Sequence, residues 1–114
     1  MELRDLHPWD VSPKEAIAIQ RELASQVVRK GGPKRVRRVA GVDISVDKPR
    51  PGGRPSGRGT GTGAVVVLSY PALEVVEVAV EEAPLAFPYV PGLLSFREIP
   101  VLRAAFRRIA GQID

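Results

Sequence analysis

The chain has 114 residues, enough for one small domain, and its 44% hydrophobic and 26% charged residues are typical of soluble globular proteins. The sequence has no cysteine, which excludes disulfides and thiolate metal sites and favours a reducing, cytoplasmic setting, and it has no apolar run that could cross a bilayer. The net charge is +4, but positions 29–60 carry ten basic residues and two acids, which indicates either a nucleic acid partner or a solvated, self-repelling segment.

The first predicted element is a helix over 13–30. Ser12 and Glu15 have the spacing of a capping box, and a proline stands at the first helical position. Gly31-Gly32 ends the element, and its apolar positions follow at helical spacing: Ala16, Ile19, Leu23 and Val27. A strand over 37–46 comes next, because that stretch is β-branched and apolar around Asp43.

The second half of the chain predicts two more strands and a helix. Residues 47–63 are a Gly/Pro/Arg-rich connector in which no regular element is expected. Strands are predicted over 64–69 and 73–80, with a turn between them and a proline-punctuated loop over 84–92 after them. An apolar stripe then indicates a helix: Val101, Leu102, Ala105, Phe106 and Ile109. The expected fold is α/β, with a helix, a three-stranded antiparallel meander whose face or edge is poorly covered, and a second helix.

Two carboxylates are candidates for metal chemistry. Asp43 lies in mid-strand, where aspartate is disfavoured, and a divalent cation offsets the cost of burying a carboxylate. The alternatives for Asp43 are hydrogen bonds to the backbone or an ion pair with Arg37 or Arg38. Glu98 either closes a capping box with Ser95 or, if the helix begins near Ile99 because of Pro100, is free to bind elsewhere.

Tyr89 stands between two prolines in Pro88-Tyr89-Val90-Pro91-Gly92. Prolines fix their own φ and push the preceding residue toward extended geometry, so this tyrosine is expected on a stiff projection. A stiff aromatic side chain suits insertion between bases, where stacking offsets part of the cost of opening a duplex. The alternative is a tyrosine that packs back on the sheet.

Three stretches together resemble the endonuclease V family. They are Val-Ala-Gly-Val-Asp-Ile-Ser at 39–45, Val-Val-Val-Leu-Ser-Tyr-Pro at 65–71 and Pro-Tyr-Val-Pro-Gly-Leu-Leu-Ser-Phe-Arg-Glu at 88–98. The last stretch is long and unusual enough to be family-specific, and the resemblance runs from about residue 12 to residue 114.

This resemblance implies a ribonuclease-H-like fold in one partial domain over 1–114, with 47–63 as a flexible connector. It implies a DNA repair endonuclease that hydrolyses the second phosphodiester bond 3′ to deoxyinosine with Mg²⁺, for which Mn²⁺ substitutes; some relatives prefer inosine in RNA. Asp43 and Glu98 match metal-binding catalytic residues, and the stretch that matches the wedge and lesion pocket contributes Pro88, Tyr89, Val90, Pro91, Gly92 and Leu94.

The resemblance covers only the N-terminal half of the family pattern. Family members continue with a strand carrying Asp-Gly-x-Gly, a lysine and a late histidine, and Asp114 does not stand in that motif. Asp43 and Glu98 alone would hold Mg²⁺ loosely, so we expect this chain by itself to be weakly active or inactive. A missing C-terminal half or a second chain would supply the remaining residues.

Two other interpretations stay open at this point. One is a non-catalytic nucleic-acid-binding module, made of the basic block and a stacking Tyr89. The other is a remnant without activity. The nuclease interpretation requires Asp43 and Glu98 to approach one cation. Side chains on opposite sides of the sheet, too distant to share an ion, would end that interpretation whatever the motif similarity.

Overall fold

A computed structural model describes residues 1–47 and 59–114. In chain order the regular elements are α1 (Pro13–Ala24), β1 (Arg38–Asp47), β2 (Thr60–Ser69), β3 (Val75–Pro84), α2 (Leu94–Ile109) and a single 3₁₀ turn over Ala110–Gln112. The predicted α/β class, with a helix, three antiparallel strands and a helix, is confirmed.

The three strands form one antiparallel sheet in the order β1-β2-β3. Asp43 pairs with Ala64 across the first pair of strands, and Ala64 pairs with Val80 across the second. β2 is therefore central, and within 1–47 and 59–114 both β1 and β3 keep one edge without a strand partner.

The main hydrophobic core lies between α2 and one face of the sheet. Its buried members alternate along the strands and recur at helical spacing in α2 and beyond it: Val65, Val67, Ala79, Leu102, Ala105, Ile109 and Ile113. Where β2 begins, glycines let the helix side approach closely, because a Cβ on Gly63 would lie 2.9 Å from Leu102 Cδ2 and one on Gly61 would lie 2.9 Å from Leu85 Cδ2.

This close packing explains why β2 is longer than its sequence predicts. The strand begins at Thr60, four residues inside the segment expected to hold no regular element, and its first half carries glycines where α2 leaves no room for side chains. The prediction of a structureless connector over 47–63 is therefore wrong for 60–63 and for Asp47, which ends β1. Residues 48–58 lie outside the described part of the chain.

The opposite face of the sheet is not covered by the described residues. It carries Asp43 on β1 and Val78 and Val80 on β3, and these valines are exposed. Helix α1 does not cover this face, since it packs instead against the start of α2 in a second cluster formed by Ala16, Phe87, Leu93 and Phe96. The expectation of a poorly covered face is confirmed.

Helix α1 is six residues shorter than predicted. Ser12 caps its start, because its hydroxyl accepts the N–H of Glu15 at 3.2 Å as predicted. The hydroxyl also donates to the Glu15 carboxylate at 3.0 Å, in place of the Ser12 backbone N–H that a full capping box would use. The helix ends at Ala24, because the next apolar side chains have nothing to pack on: Val28 is 85% exposed. Packing of an apolar face, rather than propensity, sustains a helix of this length.

Helix α2 begins at Leu94, earlier than a start near Ile99, and it contains Pro100. Leu93 occupies the N-cap position without a side-chain cap hydrogen bond, so the capping box expected between Ser95 and Glu98 does not form. Pro100 lacks an N–H to donate within the helix, and burial of the neighbouring Val101 and Leu102 holds this turn in place. None of the helices in the described ranges is both long and apolar enough to span a membrane.

Asp114 ties the far end of the chain to the start of β1. Its carboxylate accepts the backbone N–H groups of Arg37 and Arg38, the latter at 2.9 Å. These two donors, Arg37 first, hold the pKa of Asp114 below its ordinary value. A depressed carboxyl pKa stabilises the fold above the pKa of the unfolded chain, and this contribution is lost as the pH falls through the folded pKa.

Asp114→Asn is therefore expected to lower the urea midpoint at neutral pH and to remove part of its decline below about pH 4. Urea unfolding of both proteins from neutral to acidic pH measures the effect. Asp10→Asn is the matched control, because no described residue hydrogen-bonds to that carboxylate. Superimposable curves of urea midpoint against pH for Asp114→Asn and the wild type would show that the two backbone hydrogen bonds do not contribute to stability.

Candidate active site and nucleic-acid loop

The loop between β3 and α2 presents a single aromatic side chain to solvent. Val90, Pro91, Gly92 and Leu93 form a turn closed by the bond from the N–H of Leu93 to the carbonyl of Val90, at 2.9 Å. Pro91 takes its second position and Gly92, at φ +85°, its third, which is the pattern of a type II turn. Tyr89 precedes this turn and is 68% exposed, so it projects as predicted.

The base of the loop is fixed by apolar packing. Phe87 and Leu93, which flank the loop, are buried with Phe96, and Val90 packs against the same cluster. Residues before and after Tyr89 are thus anchored, while the tyrosine ring is not. Packing of Tyr89 against the sheet, the alternative considered from the sequence, does not occur.

The residues matched to the lesion pocket lie beside Tyr89. Gly92 is exposed, and a Cβ built on it would meet nothing within 4 Å. Leu94, the first residue of α2, is also exposed. Tyr89, Gly92 and Leu94 are therefore all exposed where the loop meets the start of the helix.

Asp43 lies in mid-strand, as predicted, but its carboxylate is exposed rather than buried. The neighbouring Ile44 side chain lies on the α2 face, since its Cδ1 would be 3.1 Å from a Cβ on Gly61. Successive side chains alternate across a strand, so Asp43 projects from the opposite face. Its Oδ1 accepts the N–H of Ile44 at 2.8 Å, and it forms no salt bridge with Arg37 or Arg38.

Glu98 lies in the second turn of α2 and is half-buried. At 100° per residue it shares the sheet-facing stripe with Val101, Leu102 and Ala105. The Cγ2 of Val101 would be 3.3 Å from a Cβ on Gly61, which pairs with Val46. Glu98, one turn earlier, therefore points toward the end of the sheet where β1 finishes and β2 begins.

Asp43 thus projects from the face of the sheet opposite α2, whereas Glu98 lies on the α2 side. No described hydrogen bond joins the two side chains. Because β1 pairs only with β2 within the described ranges, its second edge is open. Placement on opposite sides of the sheet is the arrangement that argues against one shared cation, so the structure does not bring the two carboxylates together as the sequence analysis requires. An ion could be shared by both only around the open edge of β1.

The donor chemistry of this pair suits a hard cation. Magnesium and manganese prefer oxygen ligands, and Asp43 and Glu98 offer two carboxylates without salt bridges to described residues. However, Mg²⁺ demands near-octahedral oxygen coordination. Among residues 1–47 and 59–114 no group of three or more His, Cys, Asp or Glu side chains could hold a metal ion. Asp43 and Glu98 alone therefore do not complete the coordination of such an ion.

Two polar residues that contact the loop were not predicted from the sequence. Arg97 donates from Nη1 to the carbonyl of Phe87 at 2.8 Å, and Gln20 on α1 donates from Nε2 to the carbonyl of Gly92 at 2.9 Å. A signal for Gln20 was available, since it is a polar residue one helical turn after Ala16, on the buried side of α1. Arg97 gave no such signal.

The basic block is partly described. Its six described residues outside the connector form no salt bridge with a described acid: Arg29, Lys30, Lys34, Arg35, Arg37 and Arg38. Arg38 does donate a hydrogen bond to Gln112. The other four, Lys48, Arg50, Arg54 and Arg58, lie outside the described residues. Cations near the start of β1 that form no salt bridge within the described ranges can contact phosphates.

Comparison with known proteins gives a consistent result. A family model described as Endonuclease V matches residues 21–114. The chain is similar to Endonuclease V of Gloeobacter violaceus, with 45% identity over 109 residues that cover 96% of this chain and 42% of the relative. It is also similar to the crystal structure of Endonuclease V from Streptomyces avermitilis, with a TM-score of 0.71, 40% identity and coverage of 87% of this chain and 41% of that one.

A further solved structure shares the fold. It is Endonuclease V of Ciona intestinalis in complex with a 24-mer DNA that contains an inosine followed by a ribo-adenosine. The TM-score is 0.69 at 24% identity, with coverage of 87% of this chain and 40% of that chain. The chain spans about half the length of the curated relatives it matches.

Proposed function

The chain belongs to the endonuclease V family, and from this membership we propose that it provides the lesion-reading loop and two metal-binding carboxylates of a DNA repair endonuclease. The reaction is hydrolysis of the second phosphodiester bond 3′ to deoxyinosine in deaminated DNA. The observation that carries this proposal is the anchored loop: Tyr89 projects from a fixed base at the start of the helix that carries Glu98.

Tyr89 acts as a wedge in this proposal. Insertion of its ring between base pairs replaces part of the stacking that opening the duplex removes. Pro88 and Pro91 restrict the backbone on either side, and Val90 packs at the loop base, so little entropy is lost when the ring inserts. Gly92 and Leu94 then form the open surface that receives the flipped hypoxanthine.

Asp43 and Glu98 would hold Mg²⁺, or Mn²⁺ in its place, around the open edge of β1. When bound, the ion activates water and neutralises charge that builds on the scissile phosphate. The two carboxylates leave several coordination positions unfilled, which a second chain, or a further segment that the described residues do not include, would complete. We therefore expect cleavage by the 114-residue chain alone to be weak or absent.

DNA is the first substrate to test, because the Ciona protein of the same fold was solved with inosine-containing DNA. RNA containing inosine is the second. The basic residues 29–38 would contact phosphates and contribute affinity without sequence preference.

Nucleic-acid binding without cleavage is the second candidate function. It is favoured by the lack of a three-ligand metal group among the described residues, together with the exposed Tyr89. Tyr89 has the same role in both candidates, and Asp43 has a role in only one. Asp43→Ala should leave nucleic-acid binding by a binding module unaffected, whereas in the nuclease it should weaken metal binding and remove any metal-dependent cleavage that the chain shows.

The test compares binding of a duplex with one deoxyinosine and the matched undamaged duplex, by fluorescence anisotropy with Mg²⁺ at one fixed salt concentration. We expect Tyr89→Ala to weaken binding of the inosine duplex by about fivefold to over a hundredfold, since aromatic stacking contributes about 1–3 kcal/mol per base. Tyr89→Phe keeps the ring and should bind like the wild type.

Two results would count against this account. Unchanged affinity of Tyr89→Ala for the inosine duplex would show that Tyr89 does not act as a wedge. Efficient Mg²⁺-dependent nicking of the inosine duplex by the 114-residue chain alone would show that its own residues complete the metal site.

A further inference from the structure

The junction between the Tyr89 loop and α2 depends on one flexible residue. Gly92 occupies the left-handed region at φ +85°, which glycine enters without steric cost. The same freedom lets the Gly92 backbone sample many conformations when nothing holds it. The Gly92 carbonyl lies in the same planar peptide unit as the Leu93 N–H, which donates to Val90, so a second bond to this carbonyl adds to the restraint on that unit.

Gln20 holds that carbonyl from another element. Its Nε2 donates to the Gly92 oxygen at 2.9 Å, across 72 residues of sequence. The side chain projects from α1, whose Ala16 is fully buried in the cluster that contains Leu93 and against which Ile19 packs. The donor is therefore mounted on a helix that is itself fixed to the base of the loop.

The other flank of the loop is held in a similar way. Arg97 Nη1 donates to the Phe87 carbonyl at 2.8 Å, immediately before Pro88. The five residues from Pro88 to Gly92 thus have a side-chain hydrogen bond to the backbone at or next to each end. Of these two bonds, only the one from Gln20 comes from outside the segment that carries the loop and α2.

We propose that Gln20 is a positioning residue that acts through the Gly92 carbonyl to set the angle of the Tyr89 loop for lesion recognition. This inference rests on the proposed function. Gln20 does not touch the nucleic acid; it lowers the conformational freedom that the loop would otherwise lose on binding. Loss of one such bond should reduce the preference for the inosine duplex over the undamaged duplex by about two- to tenfold.

The test variant is Gln20→Met, which keeps the length of the side chain and removes the donor. Ala18→Met is the matched control, because it places the same side chain on the exposed side of α1 without changing charge. Gln20→Lys restores a donor and should recover the preference; the ratio of the two affinities cancels the general effect of its added charge. Chemical unfolding of each variant confirms that it remains folded.

Three measurements separate positioning from general structural damage. In Gln20→Met, amide hydrogen exchange should accelerate in residues 89–94 and stay unchanged in β2. The preference ratio should fall while the slope of log affinity against log salt stays constant, because no phosphate contact is lost. Unchanged exchange in 89–94, or faster exchange throughout the fold, would overturn the assignment.

Failure of the proposed function gives a different result. If the wild type binds both duplexes equally, the lesion-reading role is wrong, and with it the role of Gln20 in recognition. If the wild type shows a preference and Gln20→Met keeps it in full, only the role of Gln20 is wrong.

Discussion

Replacing Phe96 with alanine should lower the free energy of unfolding by about 3–5 kcal/mol, the cost of removing a buried phenylalanine ring. Phe96 is 3% exposed and lies at the centre of the second cluster. Its ring centroid is 5.5 Å from those of His7 and Trp9 and 5.6 Å from that of Phe87. No other described aromatic ring contacts three others.

The effect should extend beyond stability, because this cluster fixes the base of the Tyr89 loop. Its members come from α1, the loop and α2, and these elements share no backbone ladder. A cavity in place of Phe96 removes packing from all three together. We therefore expect Phe96→Ala to lose inosine preference even at temperatures where it remains folded.

Urea unfolding followed by circular dichroism measures the change. Tyr89→Ala is the matched control: it also removes an aromatic ring, but one that is 68% exposed, and should alter stability by no more than about 0.5 kcal/mol. Comparable losses of unfolding free energy in the two variants would mean that the cluster around Phe96 does not hold α1, the loop and α2 together.

The sequence predicts the elements well where local pattern and packing agree. The N-cap at Ser12 and the apolar stripe of α2 are found as expected. The predicted end of α1 was too late, because Val27 and Val28 continue the apolar pattern but are exposed in the described structure. The predicted start of β2 was too late, because glycine lowers strand propensity. Glycine is needed there because α2 packs closely against the strand, which the sequence alone does not show.

The candidate site shows a similar division. The exposure of Tyr89 follows from its flanking prolines, and it is confirmed. The side on which Asp43 projects did not follow from the sequence, since the residues on both sides of it are apolar and give no alternation. It is determined by pairing with Ala64 and by the position of α2, both of which are tertiary. The hydrogen bonds from Gln20 to Gly92 and from Arg97 to Phe87 also depend on tertiary structure, so the sequence did not predict them.

The second large effect concerns the cation. Asp43 and Glu98 project on different sides of β1, so an ion held by both must sit at the open edge of that strand. In such a site each carboxylate is one of few protein ligands of the ion. Loss of a residue that only hydrogen-bonds to a ligand lowers metal affinity about tenfold or more, and removal of a ligand itself should lower the affinity at least as much. Independent sites at the two residues would behave differently, since their losses would add.

The most direct measurement is a Mn²⁺ titration, with free Mn²⁺ followed by electron paramagnetic resonance, of the wild type, Asp43→Asn, Glu98→Gln and the double variant. Glu74→Gln is the control, as it removes an exposed acid beyond the far end of β2. We expect each single variant to lose at least about tenfold in Mn²⁺ affinity and the double variant to lose little more. Wild-type affinity in either single variant, or losses that add in the double variant, would contradict a cation shared by Asp43 and Glu98.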